Sequence, residues 1–146
     1  MARAAGLPLA LLLGLSLGLS GCGGPNPTEA DVRRAVTLRY DASAGGDAFT
    51  LRNACYEKLG ACPEDLGWSY AVDGVGVTEI GERHSGRRAV RVGGGDLYHT
   101  VRWWPTRAQL SVRCRCQDRA ETISLPEDAD VTRDGYTGAW RVTNAL

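Results

Sequence analysis

The segment that most constrains the fold is QLSVRCRCQ, residues 109–117. Its apolar residues and cysteines alternate with polar residues, which is the pattern of a strand with one buried face. The alternation places Cys114 and Cys116 on the buried face and the neighbouring arginines on the solvent face. Cα atoms two residues apart on a strand are about 6.6 Å apart, near the upper limit for a disulfide, and their Cβ atoms are poorly oriented. Each cysteine should therefore pair with a cysteine elsewhere in the chain.

The N-terminal segment decides which other cysteines are available. It has one charge, at Arg3, followed by an uncharged apolar run that ends at Leu19. This run is too short to span a bilayer, for which a helix needs ~20 apolar residues. A charged start, an apolar middle and small residues at the end are typical of a secretory signal peptide. We therefore predict that residues 1–21 are removed.

The four residues LSGC at 19–22 resemble the lipobox of bacterial lipoprotein precursors. The resemblance implies that Cys22 is lipidated and that this lipid, including palmitate-type acyl chains, holds the protein on a membrane. In a Gram-negative host, Gly23 in place of an aspartate implies the outer membrane, with the protein facing the periplasm. The alternative is ordinary secretion, with Cys22 near the cleavage site by coincidence. Residues 22–28, rich in Gly and Pro, would be the lipidated cysteine and a flexible tether.

The remaining cysteines are even in number, and an exported domain enters an oxidising compartment. We expect two disulfides in which Cys114 and Cys116 pair with Cys55 and Cys62, in either order. The alternative is a soft-metal site in which the four thiolates bind Cu(I) or Zn²⁺. Structural zinc sites usually space their cysteines as CxxC pairs, which this chain lacks. We therefore predict no metal site and no cofactor.

Residues 29–146 are predicted to form a single domain that begins with two helices. Thr28 is a helix N-cap signal, followed by acidic residues in the first turn, and apolar residues at helical spacing predict a helix over residues 29–40. A second helix is predicted from about residue 47 to residue 59. Gly60 is placed to end it.

Beyond Trp68 the pattern changes to the alternation of strands. Turns are predicted at Ser85-Gly86 and at 93–96. Pro105 should end a strand, because proline has no N–H for the ladder, and residues 126–130 should form a loop. A last strand would carry Tyr136, Trp140 and Val142. Helices followed by a meandering sheet predict the α+β class with antiparallel strands.

This order of elements, with Trp140 near the C-terminus, resembles the small cystatin-like and NTF2-like domains of some bacterial lipoproteins. In these domains a curved antiparallel sheet wraps one or two helices. The resemblance implies a cone between helix and sheet that is an empty scaffold, a ligand pocket or an active site.

Charge argues against one class of partner. The chain has 17 basic and 17 acidic residues, and removal of the signal peptide takes away only Arg3. A nucleic-acid binder would show a basic excess, so we predict no nucleic-acid partner.

Few residues are candidates for chemistry or contact. His99 shares a strand face with apolar neighbours and could project into a pocket, although a half-buried, hydrogen-bonded histidine is the commoner case. Trp103 and Trp104 must point to opposite faces, one into the core and one outward. The outward tryptophan is a possible contact residue, because aromatic residues are enriched at binding hot spots. The alternative is a tryptophan packed under a neighbouring loop.

We therefore expect a membrane-anchored lipoprotein with a non-catalytic binding or structural role in the cell envelope, acting with an envelope protein partner. The first alternative is an NTF2-like ligand-binding or enzymatic pocket that uses His99 with a carboxylate. The second is a metal-handling lipoprotein that uses the four cysteines.

The lipid anchor is directly testable. Cys22→Ser should abolish incorporation of labelled palmitate and leave unprocessed precursor, because the thiol is the lipid acceptor in this family. Metabolic labelling followed by immunoprecipitation measures both outcomes. A variant that is still acylated would contradict the prediction.

Overall fold

A computed structural model of the chain describes residues 24–41, 46–62 and 67–143. The predicted signal peptide and the predicted lipidation site, Cys22, lie outside these residues. In the described chain two helices precede five strands, which agrees with the predicted α+β class. The elements are α1 (Glu29–Arg39), α2 (Ala48–Leu59), β1 (Ser69–Ile80), β2 (His84–Val92), β3 (Gly95–Cys116), β4 (Arg119–Arg133) and β5 (Trp140–Thr143).

The strands form one open antiparallel sheet in the order β1-β3-β4-β5, with β2 also paired to β3. Along one edge of β3, β2 pairs with Gly95–Trp103 and β1 pairs with Thr106–Arg115, so β1 and β2 lie end to end. On the other edge, β4 pairs only with Trp103–Cys116. Residues 84–102 therefore extend beyond the sheet as a two-stranded ribbon, which we call the ribbon.

Helix α1 begins where the sequence predicts. The Thr28 hydroxyl accepts a hydrogen bond from the Asp31 N–H at 3.2 Å, and the Asp31 carboxylate accepts one from the Thr28 N–H at 2.9 Å. This capping box satisfies backbone donors that the first helical turn leaves unpaired. Val32, Ala35 and Val36 are buried on the face of α1 that packs on the sheet. Tyr40 caps the C-terminal end, so the helix predicted over residues 29–40 is confirmed.

Helix α2 is attached to the sheet by both disulfides. Cys55, in the helix, is bonded to Cys114, and Cys62, just beyond it, is bonded to Cys116; both pairs have Cα atoms 5.8 Å apart. The prediction of two disulfides is confirmed, and the structure decides between the two orders of pairing that the sequence left open. Gly60 ends the helix at φ 83°, a left-handed conformation that favours glycine.

The strand predicted to end at Pro105 instead continues through it. A strand residue directs its N–H and C=O to the same side of the strand, and the Pro105 carbonyl accepts a hydrogen bond from the Gly81 N–H at 2.7 Å. The N–H that proline lacks would therefore point at residues 81–83, the break between β1 and β2. No ladder hydrogen bond is lost there, so the proline is compatible with the interior of β3.

The predicted loop at residues 126–130 is also wrong, because β4 runs through Pro126. The Ala129 carbonyl accepts a hydrogen bond from the Thr106 hydroxyl on β3 at 2.7 Å, so odd-numbered residues of β4 direct their backbone groups toward β3. Pro126 directs its missing N–H to the opposite edge. There β5 pairs only with Asp130–Arg133, and a proline at an unpaired edge is tolerated.

Two other predictions, one of a turn and one of a strand residue, are corrected. Ser85 and Gly86 lie inside β2, and the glycine is explained by packing, since a Cβ there would come within 3.2 Å of the Trp103 ring. Tyr136 lies in the turn between β4 and β5 and not in the last strand. The Asp134 carboxylate accepts hydrogen bonds from the N–H groups of Tyr136 and Thr137 at 2.9 and 2.8 Å, an arrangement that forms a turn. The predicted turn at residues 93–96 is confirmed at Gly93 and Gly94.

The core lies between the helices and the inward face of the sheet. Even-numbered residues of β3 from 104 to 116 are buried, and the arginines at 113 and 115 face solvent, as the alternation predicts. Neither helix of the described chain has the length and hydrophobicity needed to cross a bilayer. The most deeply buried side chains are Val32, Val36, Leu51, Cys55, Leu110, Val112, Cys114 and Val131.

Each disulfide should contribute substantially to stability. The bonds join residues 59 and 54 positions apart, and closing such loops is worth about 4 kcal/mol in the chain-entropy model. We expect paired alanine substitution at Cys62 and Cys116 to lower the free energy of unfolding by about that amount. The same change at Cys55 and Cys114 should lower it further, because both side chains are fully buried and their loss leaves a cavity. Urea unfolding measures both, and equal stability of the two variants and the wild type would contradict this account.

Candidate functional site

A concave surface lies beside the ribbon. It is a cleft of roughly 920 Å³ between the β3 strand of the ribbon, the end of β4 and the turn at residues 134–138. Gly24 and Pro25 also line it, so the N-terminal segment passes along the same surface. The cleft is open to solvent and exists because β4 turns away at Asp134 while β3 and β2 continue.

The cleft is basic. Arg88, Arg102 and Arg133 line it together with His99, and Asp134 is the one carboxylate among the described lining residues. Within the described residues, neither Arg88 nor Arg102 forms an ion pair with a carboxylate, and the Arg133 Nε donates to the Gly138 carbonyl at 3.0 Å. Residues 84–103 contain four arginines and one aspartate, whereas the whole chain has equal numbers of basic and acidic residues. Positive charge is therefore concentrated at this end of the molecule.

Large apolar and aromatic side chains are exposed on the ribbon and in the cleft. Leu97 and Tyr98, near the tip of the ribbon, are 62% and 58% exposed, and Tyr136 in the β4–β5 turn is 99% exposed. The Arg87 guanidinium lies 5.2 Å from the centre of the Tyr98 ring. Exposed tyrosines beside unpaired arginines match the composition of protein-binding surfaces, where Tyr, Trp and Arg predominate.

The turn that carries Tyr136 is internally hydrogen-bonded. Backbone N–H groups of Thr137 and Tyr136 donate to the Asp134 carboxylate and lower the pKa of that carboxyl. The Gly138 N–H donates to the Asp134 carbonyl at 2.9 Å, and Gly138 has φ 72°, which favours glycine. The turn therefore presents Tyr136 to solvent from a defined backbone conformation.

The tether is fixed to the domain at the base of the cleft. The Trp104 indole N–H donates to the Asn26 side-chain oxygen at 3.3 Å, and Pro27 is buried. Trp104 is only 4% exposed and packs edge-on against Trp140, with ring centres 5.2 Å apart. The domain therefore holds the chain from Asn26 onward, and Gly24 and Pro25 lie along the cleft.

The two predicted contact tryptophans differ in environment. Trp104 points to the helix side of the sheet and is buried, and Trp103 points to the other side and is half-buried. Trp103 stacks on His84, with ring centres 5.7 Å apart, and covers Gly86. Trp103 is therefore part of the packing at the base of the ribbon, and its role as a contact residue stays a prediction.

His99 lies on the exposed ribbon, opposite Arg88 in register and outside the helix–sheet interior. Within the described residues no hydrogen bond joins it to a carboxylate. Sequence reasoning singled out His99 but missed the arginines and Tyr136 that share its cleft. The density of arginine in residues 84–103, set against an otherwise balanced chain, was the available signal.

A buried polar cluster lies on the other side of the core. Glu127 accepts from the Arg39 guanidinium at 2.8 Å and from the Tyr40 hydroxyl at 2.7 Å, so both of its carboxylate oxygens are occupied. The Tyr70 hydroxyl donates to the Tyr40 carbonyl at 3.0 Å. These hydrogen bonds join α1 to β1 and β4, which is the arrangement of a structural network.

The sulfurs considered for metal binding are all in disulfides, so the thiolates that this alternative needs are not present in this form. Among the described residues, no group of three or more His, Cys, Asp or Glu side chains is arranged to hold a metal ion.

No protein-family model, no curated protein and no solved structure matches the chain.

The buried cluster generates a pH prediction. Burial raises the pKa of the Tyr40 hydroxyl well above its usual value, and the hydrogen bond to Glu127 and its charge raise it further. Because the folded-state pKa exceeds the unfolded value of about 10, the stabilisation is complete below about pH 10 and decreases as the pH rises above it. We expect stability to fall less steeply in alkaline solution in Tyr40→Phe than in the wild type, measured by urea unfolding at several pH values. Tyr136→Phe, at an exposed position, is the control, and identical pH slopes in Tyr40→Phe and the wild type would refute the prediction.

Proposed function

We propose that the protein is an exported lipoprotein, anchored to the membrane through Cys22, with a non-catalytic binding role in the cell envelope. Its binding surface is the basic cleft between the ribbon and the β4–β5 turn. The observation that carries this proposal is that Arg88 and Arg102, which have no carboxylate partner among the described residues, share one cleft with the exposed ring of Tyr136. Exposed Tyr98 lies on the adjoining ribbon. A surface of this composition is suited to capturing an anionic partner.

Two features support the cellular setting of the proposal. The LSGC sequence ends an uncharged apolar run, and the two disulfides are compatible with an oxidising compartment. If Cys22 carries the lipid, the four residues from it to Asn26 span at most about 14 Å. Since Asn26 is bonded to Trp104 at the base of the cleft, the cleft would face a partner close to the membrane surface. In a Gram-negative host this surface is the periplasmic side of the outer membrane.

We further propose that the domain is cystatin-like or NTF2-like. Two helices followed by an antiparallel sheet, with Trp140 in the last strand, support this assignment. The alternative function of an NTF2-like pocket would require space between helix and sheet, where the side chains of Val36, Leu110 and Val131 are packed. The ribbon cleft is therefore the better-supported binding surface.

The proposal is tested by site-specific photo-crosslinking in the native envelope. We expect a photoreactive residue at Tyr136 to give a discrete adduct of reproducible size. The same residue at Arg115, exposed at the far end of β3, should give none. Arg102→Glu should reduce the adduct at Tyr136 at least about fivefold, because it reverses the charge that attracts the partner.

Alanine at Trp103 and at Trp104 extends the test. Trp104→Ala should lower stability, because it leaves a cavity at a buried site. Trp103→Ala tests whether the outward-facing tryptophan contacts the partner. Adducts of equal yield at Tyr136 and Arg115, insensitive to Arg102→Glu, would contradict a binding role for the cleft.

A further inference from the structure

We propose that the cleft binds an extended, acidic segment of a partner protein, which adds to the sheet as a strand along the free edge of β3. This inference rests on the proposed binding function and names the class of partner for the same site. It requires a backbone edge open to pairing, side chains of complementary charge on either side of that edge, and space for a strand. Each of these is found in the described residues.

The open edge results from unequal pairing on the two sides of β3. On one side, β2 pairs with every residue from Gly95 to Trp103. On the other side, β4 begins to pair only at Trp103, and no strand of the described chain lies beside Gly95–Arg102 there. A strand edge with unpaired N–H and C=O groups is a template for another strand.

Hydrogen bonds along β3 show which backbone groups face the cleft. The carbonyls of Pro105 and Arg107 accept from groups of the β1 side, whereas the Arg102 carbonyl accepts from the Thr132 hydroxyl on β4 at 2.8 Å. Odd-numbered residues therefore direct their backbone groups to β1 and β2, and even-numbered residues direct theirs to the β4 side. By this alternation the N–H and C=O of Tyr98 and Thr100 point into the cleft, where β4 has ended.

The charges beside this edge select an acidic segment. Arg102 points to the helix side of the sheet, as does Arg133, its neighbour at the end of β4. Arg88 and His99 point to the opposite side. Like charges on neighbouring strands are unfavourable until an anion lies between them. Carboxylates at alternate positions of an added strand would meet Arg102 and Arg133. Residues between them would lie beside His99, with Arg88 one strand further away on β2.

The aromatic side chains fit the same occupant. Tyr98 flanks the edge within the ribbon, and Tyr136 stands at the other wall of the cleft, 99% exposed. An added strand between them would bury both rings against its side chains. The chain's own tether is a poorer occupant, because residues 22–27 carry no acidic side chain to pair with the arginines.

The test measures binding of a defined peptide to the full-chain protein, purified from whichever cell fraction contains it. The probe is a fluorescein-labelled octapeptide that alternates Glu with Val and Thr, and the readout is fluorescence anisotropy. We expect saturable binding that weakens with added salt. The same peptide with Lys in place of Glu should not bind. A Glu peptide N-methylated at every second backbone amide should bind at least about tenfold more weakly, because it cannot form the ladder.

Two protein variants test the two halves of the interaction. Arg102→Glu should weaken binding at least about tenfold, and Arg115→Glu, an equal charge change at the far end of β3, should leave the affinity within about twofold. Thr100→Pro should abolish binding with an unchanged unfolding midpoint, because the N–H it removes faces the cleft and not β2. If Thr100→Pro does not fold, the N-methylated peptide still tests backbone pairing on the wild type.

Several outcomes would overturn the inference. These are no binding by the Glu peptide up to about 1 mM, equal binding of the N-methylated peptide, and equal effects of Arg102→Glu and Arg115→Glu. If sedimentation reveals a dimer that Thr100→Pro disrupts, the edge would be assigned to pairing with a second copy of the chain. The last outcome concerns the unlipidated Cys22→Ser protein. If it sediments with anionic phosphatidylglycerol vesicles, if Arg102→Glu in the same background reduces this, and if the peptide does not bind, the cleft would be assigned to a membrane surface.

The failures of the two proposals are distinguishable. If the wild-type protein takes up no lipid label, the lipid anchor is refuted and the peptide-binding proposal is unaffected. Persistent crosslinks at Tyr136 without peptide binding would leave a binding role in place and refute strand addition.

Discussion

The unequal pairing of the two edges of β3 is the constraint on which the rest of the structure depends. β2 and β1 together cover one edge from Gly95 to Arg115 apart from the break at Trp104 and Pro105, but β4 covers the other only from Trp103 onward. The part of β3 that is paired on both edges forms the floor of the core, and the part paired on one edge becomes the ribbon. The cleft is the space that β4 leaves when it turns at Asp134. Without this difference in length β3 would have no free edge, and the basic residues would have no cleft to line.

Stability and exposure are separated along the same strand. At its C-terminal end, Cys114 forms a disulfide with a cysteine of α2, and Cys116 forms one with the cysteine just after α2. At its centre, Leu110 and Val112 are buried beneath the helices. At its N-terminal end the side chains face solvent. The disulfides and the core thus hold the end of β3 that has no exposed binding groups. The ribbon can then present polar and aromatic groups without contributing to the core, as binding surfaces on rigid scaffolds commonly do.

Charge is distributed in the same way. The buried carboxylate of Glu127 is satisfied by Arg39 and Tyr40, so it takes part in holding α1 to the sheet. Arg88 and Arg102 have no such partner in the described chain and stand at the open cleft. Overall neutrality therefore conceals a local excess of positive charge. For this reason the composition gave no indication of a site for an anionic partner.

The features that the sequence by itself determined are those set by neighbours along the chain. Thr28 and Asp31 form a capping box within one turn, Gly60 ends α2 through its own φ angle, and the alternation around Cys114 sets which residues are buried. Pro105, Pro126 and Gly86 were misread, because each is compatible with a strand only through what lies across from it: a break between β1 and β2, an uncovered edge of β4, and the Trp103 ring. The partner of each cysteine, the burial of Trp104 and the convergence of Arg88, Arg102 and Arg133 were likewise decided only by the tertiary structure. The physical reason is that local propensities act over a few residues, whereas strand pairing brings together residues far apart in the chain.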